Sequence, residues 1–286
     1  MESEVDFVKN AMIIEGEDFR KLQLLELDLL SELDRVCRAN GIRYQIWGGT
    51  QLGAVRHMGF IPWDDDADVV MLREEYEKFR RCSNQLNPSI CFFQDHNNDP
   101  NYRWQYGKLR RKGTKYVRLG QEHIMCKTGV FIDVFPLDDV PKSVLGQMIQ
   151  DFHCFCLRKI MWSEVGRVSE KGLMKIWYTI LSKIPVDFAF KQVDWYAKRS
   201  KNTSPNRVRT LCYTSIGKLY YKHPLSERYG MPKKWFLDTQ EFLFEGKKLY
   251  GLKFYDEYLR FSFGDYLKLP PKDKREQHAP VSYYEF

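Results

Sequence analysis

Four aspartates crowd one short stretch of the chain, "PWDDDADVVM". Asp64, Asp65, Asp66 and Asp68 lie within five residues, and an apolar run follows them directly. That run predicts a buried β-strand over residues 66–72, on which alternate side chains point to the same face. Asp66 and Asp68 would therefore share one face, and Asp64 is placed to join them. Because adjacent carboxylates repel one another, this arrangement needs a compensating positive charge.

A fifth acid extends the pattern, since Asp133 stands in the middle of the strongly apolar residues 129–137. This segment predicts a second buried strand. An isolated buried carboxylate is unfavourable, and a divalent cation is one effective remedy. Carboxylates from two adjacent strands would form an oxygen-rich Mg²⁺ site with open positions for phosphates. Asp66, Asp68 and Asp133 are therefore the candidate metal ligands, with Mn²⁺ as the alternative ion.

Two other interpretations of the aspartates stay open at this point. Asp64, Asp66 and Asp68 match positions 1, 3 and 5 of a calcium loop, but Val69 stands where that loop requires glycine. Alternatively, the aspartates form a solvated turn without chemistry, as many charge runs do.

A double glycine favours the site over the solvated turn. Gly48 and Gly49 fall between a predicted strand and a predicted helix, where exposed backbone N–H groups can hold a phosphate. Thr50 follows them, adds a hydroxyl, and is the predicted N-cap of the helix. A glycine pair followed by paired aspartates and by a third aspartate in a later strand is more specific than any of these features alone.

The predicted elements describe an α/β (α+β) core over residues 1–140. Its order is helix, strand, helix, strand, helix and then strands, at residues 17–40, 44–47, 50–57, 66–72, 73–86, 90–94, 108–119 and 129–137. Residues 141–286 are predicted to form a second lobe that packs on this core and helps to bind substrate. Residues 141–200 are predicted to be helical throughout. A hairpin turning at Glu245–Gly246 and an aromatic-rich final helix are predicted to follow.

Charge is segregated along the chain, whose net charge is +7. Residues 103–118 carry seven basic residues and no acid, whereas residues 64–77 carry seven acids and one arginine. This pattern suits a site that binds cations at one point and phosphates at another. No nucleic-acid-binding motif accompanies the basic stretch, so nucleic acid is not expected as a partner.

Compartment and membrane contact follow from other features. Seven cysteines without CxxC pairs indicate free thiols in a reducing compartment, and neither a secretory signal nor a spanning segment is expected. A cytoplasmic location follows. The segment "GLMKIWYTILSKI" has an apolar face with lysines beside it, which is typical of a core helix and also of peripheral contact with a membrane.

Two motifs, "GGTQLGAVRHMGFIPWDDDADVVM" and "GVFIDVFPLD", resemble the signatures of the LicD family, the bacterial phosphocholine transferases related to fukutin and fukutin-related protein. The resemblance covers residues 20–140 most strongly, and the terminal "YDEYLRFSFGDYLKLPPKDKREQH" is similar to the family's C-terminal block. It implies a nucleotidyltransferase-like mixed sheet flanked by helices. It also implies transfer of a phospho-alcohol, typically phosphocholine from CDP-choline, to a hydroxyl of a cell-surface glycan precursor such as lipopolysaccharide or teichoic acid.

Carried onto this chain, the resemblance makes Asp66, Asp68 and Asp133 the metal-binding acids. Asp133 is the candidate base for the acceptor hydroxyl, with Asp64 as the reserve. The residues implied to contact the donor or the acceptor are Gly48, Gly49, Thr50, Arg56, His57, Lys108, Arg110 and His278. For Lys108 and Arg110, ordinary exposed charges on a strand are an equal alternative, as an exposed tail position is for His278.

Two further functions are alternatives to the leading hypothesis, a phosphotransferase that uses a CDP-alcohol and releases CMP. One is a nucleotidyltransferase that moves a nucleoside monophosphate from a nucleoside triphosphate to a sugar, small molecule or protein. The other is an inactive family member that only binds nucleotide or glycan, although such a member would be expected to have lost the three acids. A lipid-linked glycan acceptor would place the enzyme at the inner face of the membrane.

Overall fold

A long amphipathic helix, α1 (Gly16–Ala39), supports the central sheet. Its leucines at helical spacing are buried, among them Leu22, Leu29 and Leu33. The helix ends at Ala39 with Asn40 at the C-cap position, and Gly41 follows in a left-handed conformation with φ +60°. The computed structural model describes residues 11–200, 206–212, 229–275 and 280–286.

The strands of the central sheet are β1 (Gln45–Ile46), β2 (Asp68–Leu72), β3 (Cys91–Gln94), β4 (Gly107–Arg111), β6 (Phe131–Asp139), β7 (Arg207–Arg209) and β8 (Met231–Pro232). The sheet is mixed, with strand order β1-β2-β6-β4-β3; β7 pairs with β6, and β8 with β7. β2 and β6 are parallel, and the register of this pair sets Asp68 beside Asp133. The two strands that carry the predicted acids are therefore neighbours.

The two faces of β2 enter different cores, as alternation along a strand requires. Val69 and Met71 pack with the leucines of α1, whereas Val70 packs with Phe135 and with residues from the C-terminal part of the chain. The sheet is thus covered on both faces, which holds the start of β2 in place. The predicted mixed α/β fold is confirmed.

Helices cover the sheet and extend away from it. They are α2 (Gly48–His57), α3 (Arg73–Cys82), α4 (Val144–Ser169), α5 (Gly172–Leu181), α6 (Val186–Ser200) and α7 (Tyr255–Phe263). α4, α5 and α6 form the predicted helical segment, and α4 and α6 share a core that includes Leu157, Ile160 and Phe190. No helix within the described ranges is long and apolar enough to cross a membrane.

Two small antiparallel sheets complete the described structure. β9 (Thr239–Phe244) and β10 (Lys247–Leu252) form the predicted hairpin, with Glu245 and Gly246 at the turn in left-handed conformations. β5 (Lys115–Arg118) pairs with β11 (Val281–Glu285). The basic segment predicted as one extended stretch is therefore two strands, β4 and β5, separated by a turn at Gly113 (φ +74°).

Two local predictions around the aspartates were wrong. β2 begins at Asp68, so Asp66 precedes the strand, and strand alternation does not place it on the same face as Asp68. α2 begins at Gly48 with Trp47 at the N-cap position, so Thr50 lies within the first turn of the helix. The hydroxyl of Thr50 instead accepts a hydrogen bond from the backbone N–H of Asp68 (2.8 Å), which no local capping rule anticipates.

Candidate active site

The glycine pair and the aspartates meet at the N-terminus of α2. The backbone N–H of Trp47 donates to the carbonyl of Asp68 (2.9 Å), and the Asp68 N–H donates in turn to Thr50 Oγ1. Gly48 opens the helix with φ +55°, and its N–H donates to the hydroxyl of Tyr258 (3.1 Å). Because Tyr258 already uses the Gly48 N–H, binding of a phosphate by that amide would require displacement of the tyrosine hydroxyl.

Both glycines are needed for the close approach of carboxylates. A Cβ atom on Gly49 would lie 2.4 Å from Asp64 Oδ2, and one on Gly48 would lie 3.3 Å from Asp68 Oδ2. At the first distance one of the two residues would have to move, and the second distance is shorter than most Cβ contacts in proteins. Carboxylates are favourably placed beside the positive end of a helix dipole. The glycine pair therefore brings Asp64 and Asp68 against the start of α2.

The predicted acids are close enough to perturb one another. Burial raises the pKa of Asp68 well above its usual range, and the neighbouring carboxylates of Asp66, Asp133 and Asp64 raise it further, while Lys108 lowers it. Asp64 and Asp133 are buried, and Asp66 is half-buried. The structure thus brings all four predicted acids together, from the loop before β2 and from β2 and β6.

A further carboxylate, Glu26 of α1, faces the same cluster. Its side chain is buried, and its pKa is raised well above the usual range by burial and then by the charges of Asp66, Asp65 and Asp64. Sequence reasoning missed Glu26. The signal was its place among the inward-facing leucines of α1, where a glutamate is unexpected.

Lys108 supplies positive charge to the cluster from β4. Its Nζ donates a hydrogen bond to Asp133 Oδ1 and lies 3.3 Å from the centroid of the Phe131 ring. Burial lowers the pKa of Lys108 to about 7; Asp133 opposes this decrease, and Arg110 and Arg118 add to it. Lys108 is almost fully buried, so its interpretation as an ordinary exposed strand charge is wrong.

Arg118 of β5 is a second cation that the sequence did not single out. Although burial opposes the change, the neighbouring Tyr116, Asp133 and Asp66 raise its pKa. Its guanidinium carbon lies 5.3 Å from the Phe131 ring centroid, and its Nε is buried with no hydrogen-bond partner in the described structure. A buried guanidinium N–H without an acceptor is suited to a phosphate oxygen.

The remaining predicted site residues have different surroundings. Arg110 is buried and donates to Gln94 and to the Gly129 carbonyl (2.8 Å), so it supports β4 from within, and its exposed-charge interpretation is also wrong.

Arg56, at the end of α2, donates to His57 Nε2 (3.0 Å). Burial lowers the pKa of both side chains, whereas the charge of Asp64 raises the pKa of Arg56. His278 lies outside the described residues.

The side chains partly fit the predicted magnesium ion. Carboxylate oxygens are the ligands that Mg²⁺ prefers, and the neighbouring carboxylates add to the increase in the pKa of Asp68 that burial causes. As arranged, however, no three acidic, histidine or cysteine side chains of the described residues form a group that could hold a metal ion. Lys108 is hydrogen-bonded to Asp133, one of the three predicted ligands. The chemistry of the ligands fits, whereas their positions would have to close around an ion.

A cavity of about 450 Å³ opens beside the cluster. Its aromatic lining comes from Trp104, Tyr106, Phe155 and Trp162, and its basic lining from Arg103, Arg158 and Lys159. The Tyr106 ring centroid is 5.2 Å from Lys108 Nζ, so one wall of the cavity lies near the cluster. Gln105 also lines the cavity, and both polar atoms of its side chain are buried without a hydrogen-bond partner in the part of the chain described.

Together, these features form a site in which a cluster of acids adjoins the buried cations Lys108 and Arg118, and an aromatic cavity lies nearby. Such a site can bind a phosphate through Lys108 and Arg118 while a carboxylate accepts a proton from an attacking hydroxyl. The aromatic rings offer stacking surfaces for a planar organic group.

Comparison with known proteins finds a relative that matches most of the chain. The chain is 27% identical over 273 residues to the lipopolysaccharide cholinephosphotransferase LicD of Haemophilus influenzae, covering 91% of this chain and 95% of that protein. Shorter matches occur to uncharacterised proteins of Rickettsia typhi (42% over 53 residues; 18% of this chain, 17% of that protein) and of Rickettsia prowazekii (45% over 47 residues; 16% and 18%).

The family model described as the nucleotidyltransferase domain of LicD, FKTN and FKRP matches residues 41–164. These residues include the glycine pair, the aspartates of the β2 region, Lys108 and Asp133. Residues 41–164 of the protein are therefore similar to the nucleotidyltransferase domain of the LicD family.

Proposed function

We propose that the protein is a phosphotransferase that moves a phospho-alcohol from a CDP-alcohol to a hydroxyl of a cell-surface glycan precursor, releasing CMP. Phosphocholine is the leading candidate for the transferred group. The acceptor would be a lipopolysaccharide or teichoic acid precursor, or a lipid-linked glycan. The proposal places the enzyme in the cytoplasm, at the inner face of the membrane.

One observation supports this proposal more strongly than any other. Asp68 and Asp133 lie side by side on two parallel strands, and Lys108 bonds Asp133 directly. A cluster of acids that already holds one cation, beside a second buried cation with an unused N–H, suits a substrate that carries both a metal ion and a phosphate. The lipopolysaccharide cholinephosphotransferase of Haemophilus influenzae, similar over most of its length, supports the choice of phosphocholine.

The residues would divide the chemistry between them. Asp66, Asp68 and Asp133 would hold Mg²⁺, which when bound neutralises charge on the donor phosphates. Lys108 and Arg118 would hold phosphate oxygens so that the acceptor hydroxyl lies in line with the bond that breaks. A carboxylate oxygen of Asp133 would receive the hydroxyl proton, with Asp64 as the reserve. Arg56 and His57 would border the site on the Asp64 side.

The aromatic cavity would hold the organic part of the donor. Trp104 and Tyr106 would stack on the cytosine, and the amide of Gln105 offers both a donor and an acceptor to the edge of that base. The basic residues of the cavity make it a poor cage for a quaternary ammonium, since like charges would meet there. We therefore expect the nucleotide, and not choline, in this cavity.

A thermal-shift screen tests the donor assignment directly. CDP-choline, CDP-ethanolamine, CDP-glycerol and CDP-ribitol are each added with and without Mg²⁺, and CTP is added as the competing donor. We expect one CDP-alcohol with Mg²⁺ to raise the melting temperature most. Failure of every CDP-alcohol to stabilise the protein would count against the proposal.

Labelled donors separate the proposal from its alternatives. CDP-choline labelled in the choline is compared with CTP labelled in the nucleotide, and the label that enters the glycan acceptor is identified. Transfer of choline label alone supports the proposal. Nucleotide label on the product would instead make the protein a nucleotidyltransferase, and binding of CDP-choline without transfer of either label would make it an inactive member.

A further inference from the structure

Large apolar side chains are exposed on α4 and α5 to an unusual degree. Leu173 is 84% exposed, Phe152 71% and Leu145 68%. We call the set the α4–α5 apolar surface; its members are Leu145, Met148, Ile149, Phe152, Leu173, Ile176, Trp177 and Ile180. Single exposed apolar residues are ordinary, but a contiguous group of this size marks a surface that contacts something else.

The two helices present this surface on one side. Met148, Phe152 and Phe155 recur at helical spacing along α4, and the same stripe continues through Lys159 to Gly166. α5 packs on that end of the stripe, because the Tyr178 ring lies against Gly166 and Lys159 Nζ donates to the Tyr178 hydroxyl (3.0 Å).

α5 itself has an inner and an outer face. Tyr178 is its buried residue, whereas Leu173, Ile176, Trp177 and Ile180 lie at spacings of three and four on the opposite side. The outer face of α5 therefore adjoins the exposed first half of α4, and the apolar residues of the two helices form one surface.

Charge indicates what this surface contacts. Residues 171–185 carry Lys171, Lys175 and Lys183, all exposed, and no acid. Residues 141–200 as a whole carry ten basic residues and five acids, so most of the net positive charge of the protein lies here. Lys171 and Lys175 stand at spacings of four and three with Tyr178, so they lie on the inner side of α5 and act on a neighbouring surface through their charge and not through direct contact. A second copy of the chain would bring two segments of net positive charge together across a symmetric interface. An anionic lipid surface would complement the positive charge of the segment and would also accept the apolar side chains.

We infer that the α4–α5 apolar surface docks the protein on a membrane that contains anionic lipids. The apolar side chains enter the boundary between headgroups and acyl chains, and Trp177 lies at that boundary. The contact that we propose is peripheral.

The surface also borders the candidate active site. Phe155 and Trp162 of α4 line the aromatic cavity and are each 40% exposed. Docking would therefore bring the rim of the cavity to the lipid headgroups, where a lipid-linked acceptor presents its glycan. This consequence rests on the proposed function, whereas docking itself is measured without catalysis.

Vesicle sedimentation tests the inference with the whole 286-residue chain. Wild-type protein is mixed with vesicles of phosphatidylcholine alone, or of phosphatidylcholine with phosphatidylglycerol. The apolar variant is Leu173→Ser/Trp177→Ser, and its matched control is Leu24→Ser/Leu243→Ser, which removes two exposed apolar side chains elsewhere. The charge variant replaces Lys171, Lys175 and Lys183 with glutamine, and its control replaces the exposed Lys247, Lys248 and Lys268 in the same way.

We expect wild-type protein to sediment with the anionic vesicles and to bind neutral vesicles much more weakly. The apolar variant should lose roughly a hundredfold in partitioning, since two large side chains no longer enter the lipid. The charge variant should lose about a hundredfold on anionic vesicles only. Both controls should bind like wild-type protein, and circular dichroism should show that every variant is folded.

Three results would overturn the inference. One is the absence of wild-type protein from the vesicle pellet; another is equal binding by the apolar variant and its control. The third is a concentration-dependent dimer, seen by light scattering, that the apolar variant abolishes while vesicles bind nothing. The thermal shift with CDP-alcohols is measured in parallel without lipid, so a failure of docking and a failure of the donor assignment remain separate.

Discussion

At the scale of single residues, Asp68 combines two unfavourable conditions. Its carboxylate is held near those of Asp66, Asp133 and Asp64, and its pKa is raised well above the usual range by burial and by these charges. A folded protein keeps such a group only if something else requires it. Binding of a cation, as proposed above, would explain this cost.

Replacement of Asp68 with asparagine should therefore separate stability from function. We expect Asp68→Asn to raise the free energy of unfolding in metal-free buffer by about 1 kcal/mol, because one repelling charge is removed while the shape is kept. We also expect transferase activity to fall by about a thousandfold. Chemical denaturation with and without Mg²⁺ measures the first effect, and Mg²⁺ should stabilise wild-type protein alone. A variant that is less stable in metal-free buffer would show that Asp68 is a structural acid.

Gly49 is specified by the carboxylate beside it. A Cβ atom there would lie 2.4 Å from Asp64 Oδ2, so Gly49→Ala should lower the free energy of unfolding by about 1–3 kcal/mol. Asp64→Ala removes the obstacle, and the double variant should recover most of the loss. A double-mutant cycle by urea denaturation gives the coupling between the two sites. Additive effects would mean that the glycine is needed for its backbone and not for the approach of Asp64.

At the scale of elements, the sequence allowed the elements themselves to be predicted well and their contacts poorly. The apolar run after the aspartates and the segment around Asp133 indicated two buried strands, and both exist as β2 and β6. Hydrophobic periodicity reports which face is buried but not which neighbour covers it. The contributions of Glu26 and Arg118 to the site were therefore not predicted, because they depend on where α1 and β5 lie relative to the sheet.

Thr50 shows the same limit at a helix end. Local capping preferences favoured it as the N-cap, yet a hydrogen bond from Asp68, eighteen residues later, uses its hydroxyl. The turn at Glu245–Gly246 was predictable because its signal is local, with both residues in left-handed conformations.

The hairpin of β9 and β10 is tied to the rest of the protein at its tip. The Glu245 carboxylate accepts from Arg20 Nη2 of α1 (2.6 Å) and from the backbone N–H of Phe60 (3.2 Å). The hydrogen bond from Arg20 is the largest cause of the lowered pKa of Glu245, with the Phe60 N–H adding to it and burial opposing. A carboxylate whose pKa is lower in the folded protein than in the unfolded chain stabilises the fold at pH values above its unfolded-state pKa. This stabilisation is lost as the pH falls through its folded-state pKa.

Glu245→Gln should therefore reduce stability in a pH-dependent way. At neutral pH we expect a loss of about 1 kcal/mol, kept small because Arg20 is half exposed. The difference from wild-type protein should shrink as pH falls below about 4.5, the unperturbed value for a glutamate. Thermal denaturation from acidic to neutral pH measures this, with the exposed Glu170→Gln as the control. A difference that does not change with pH would assign the effect to packing.

At the scale of the whole molecule, distant parts of the chain close one side of the site. β11 pairs with β5, and Val281 packs in a small core with Tyr116 and Phe131. Phe131 is the ring around which Lys108, Arg110 and Arg118 gather, so the last described strand supports the cations of the site through it. The other side of the site, formed by the helical segment, carries the α4–α5 apolar surface. The site thus lies between the pair of strands β5 and β11 and the helical segment with the proposed membrane contact.

Loss of packing at Val281 should reach the site through β5. Val281→Ala removes two buried methyl groups and should lower the free energy of unfolding by about 2 kcal/mol. Because Val281 is paired with Arg118 in register, we also expect the affinity for CDP-choline to fall several-fold, measured by calorimetry well below the melting temperature. Tyr283→Thr, on the same strand but 46% exposed, should change both quantities much less. If Val281→Ala loses stability while its affinity for CDP-choline stays that of wild-type protein, β11 supports the fold without positioning Arg118.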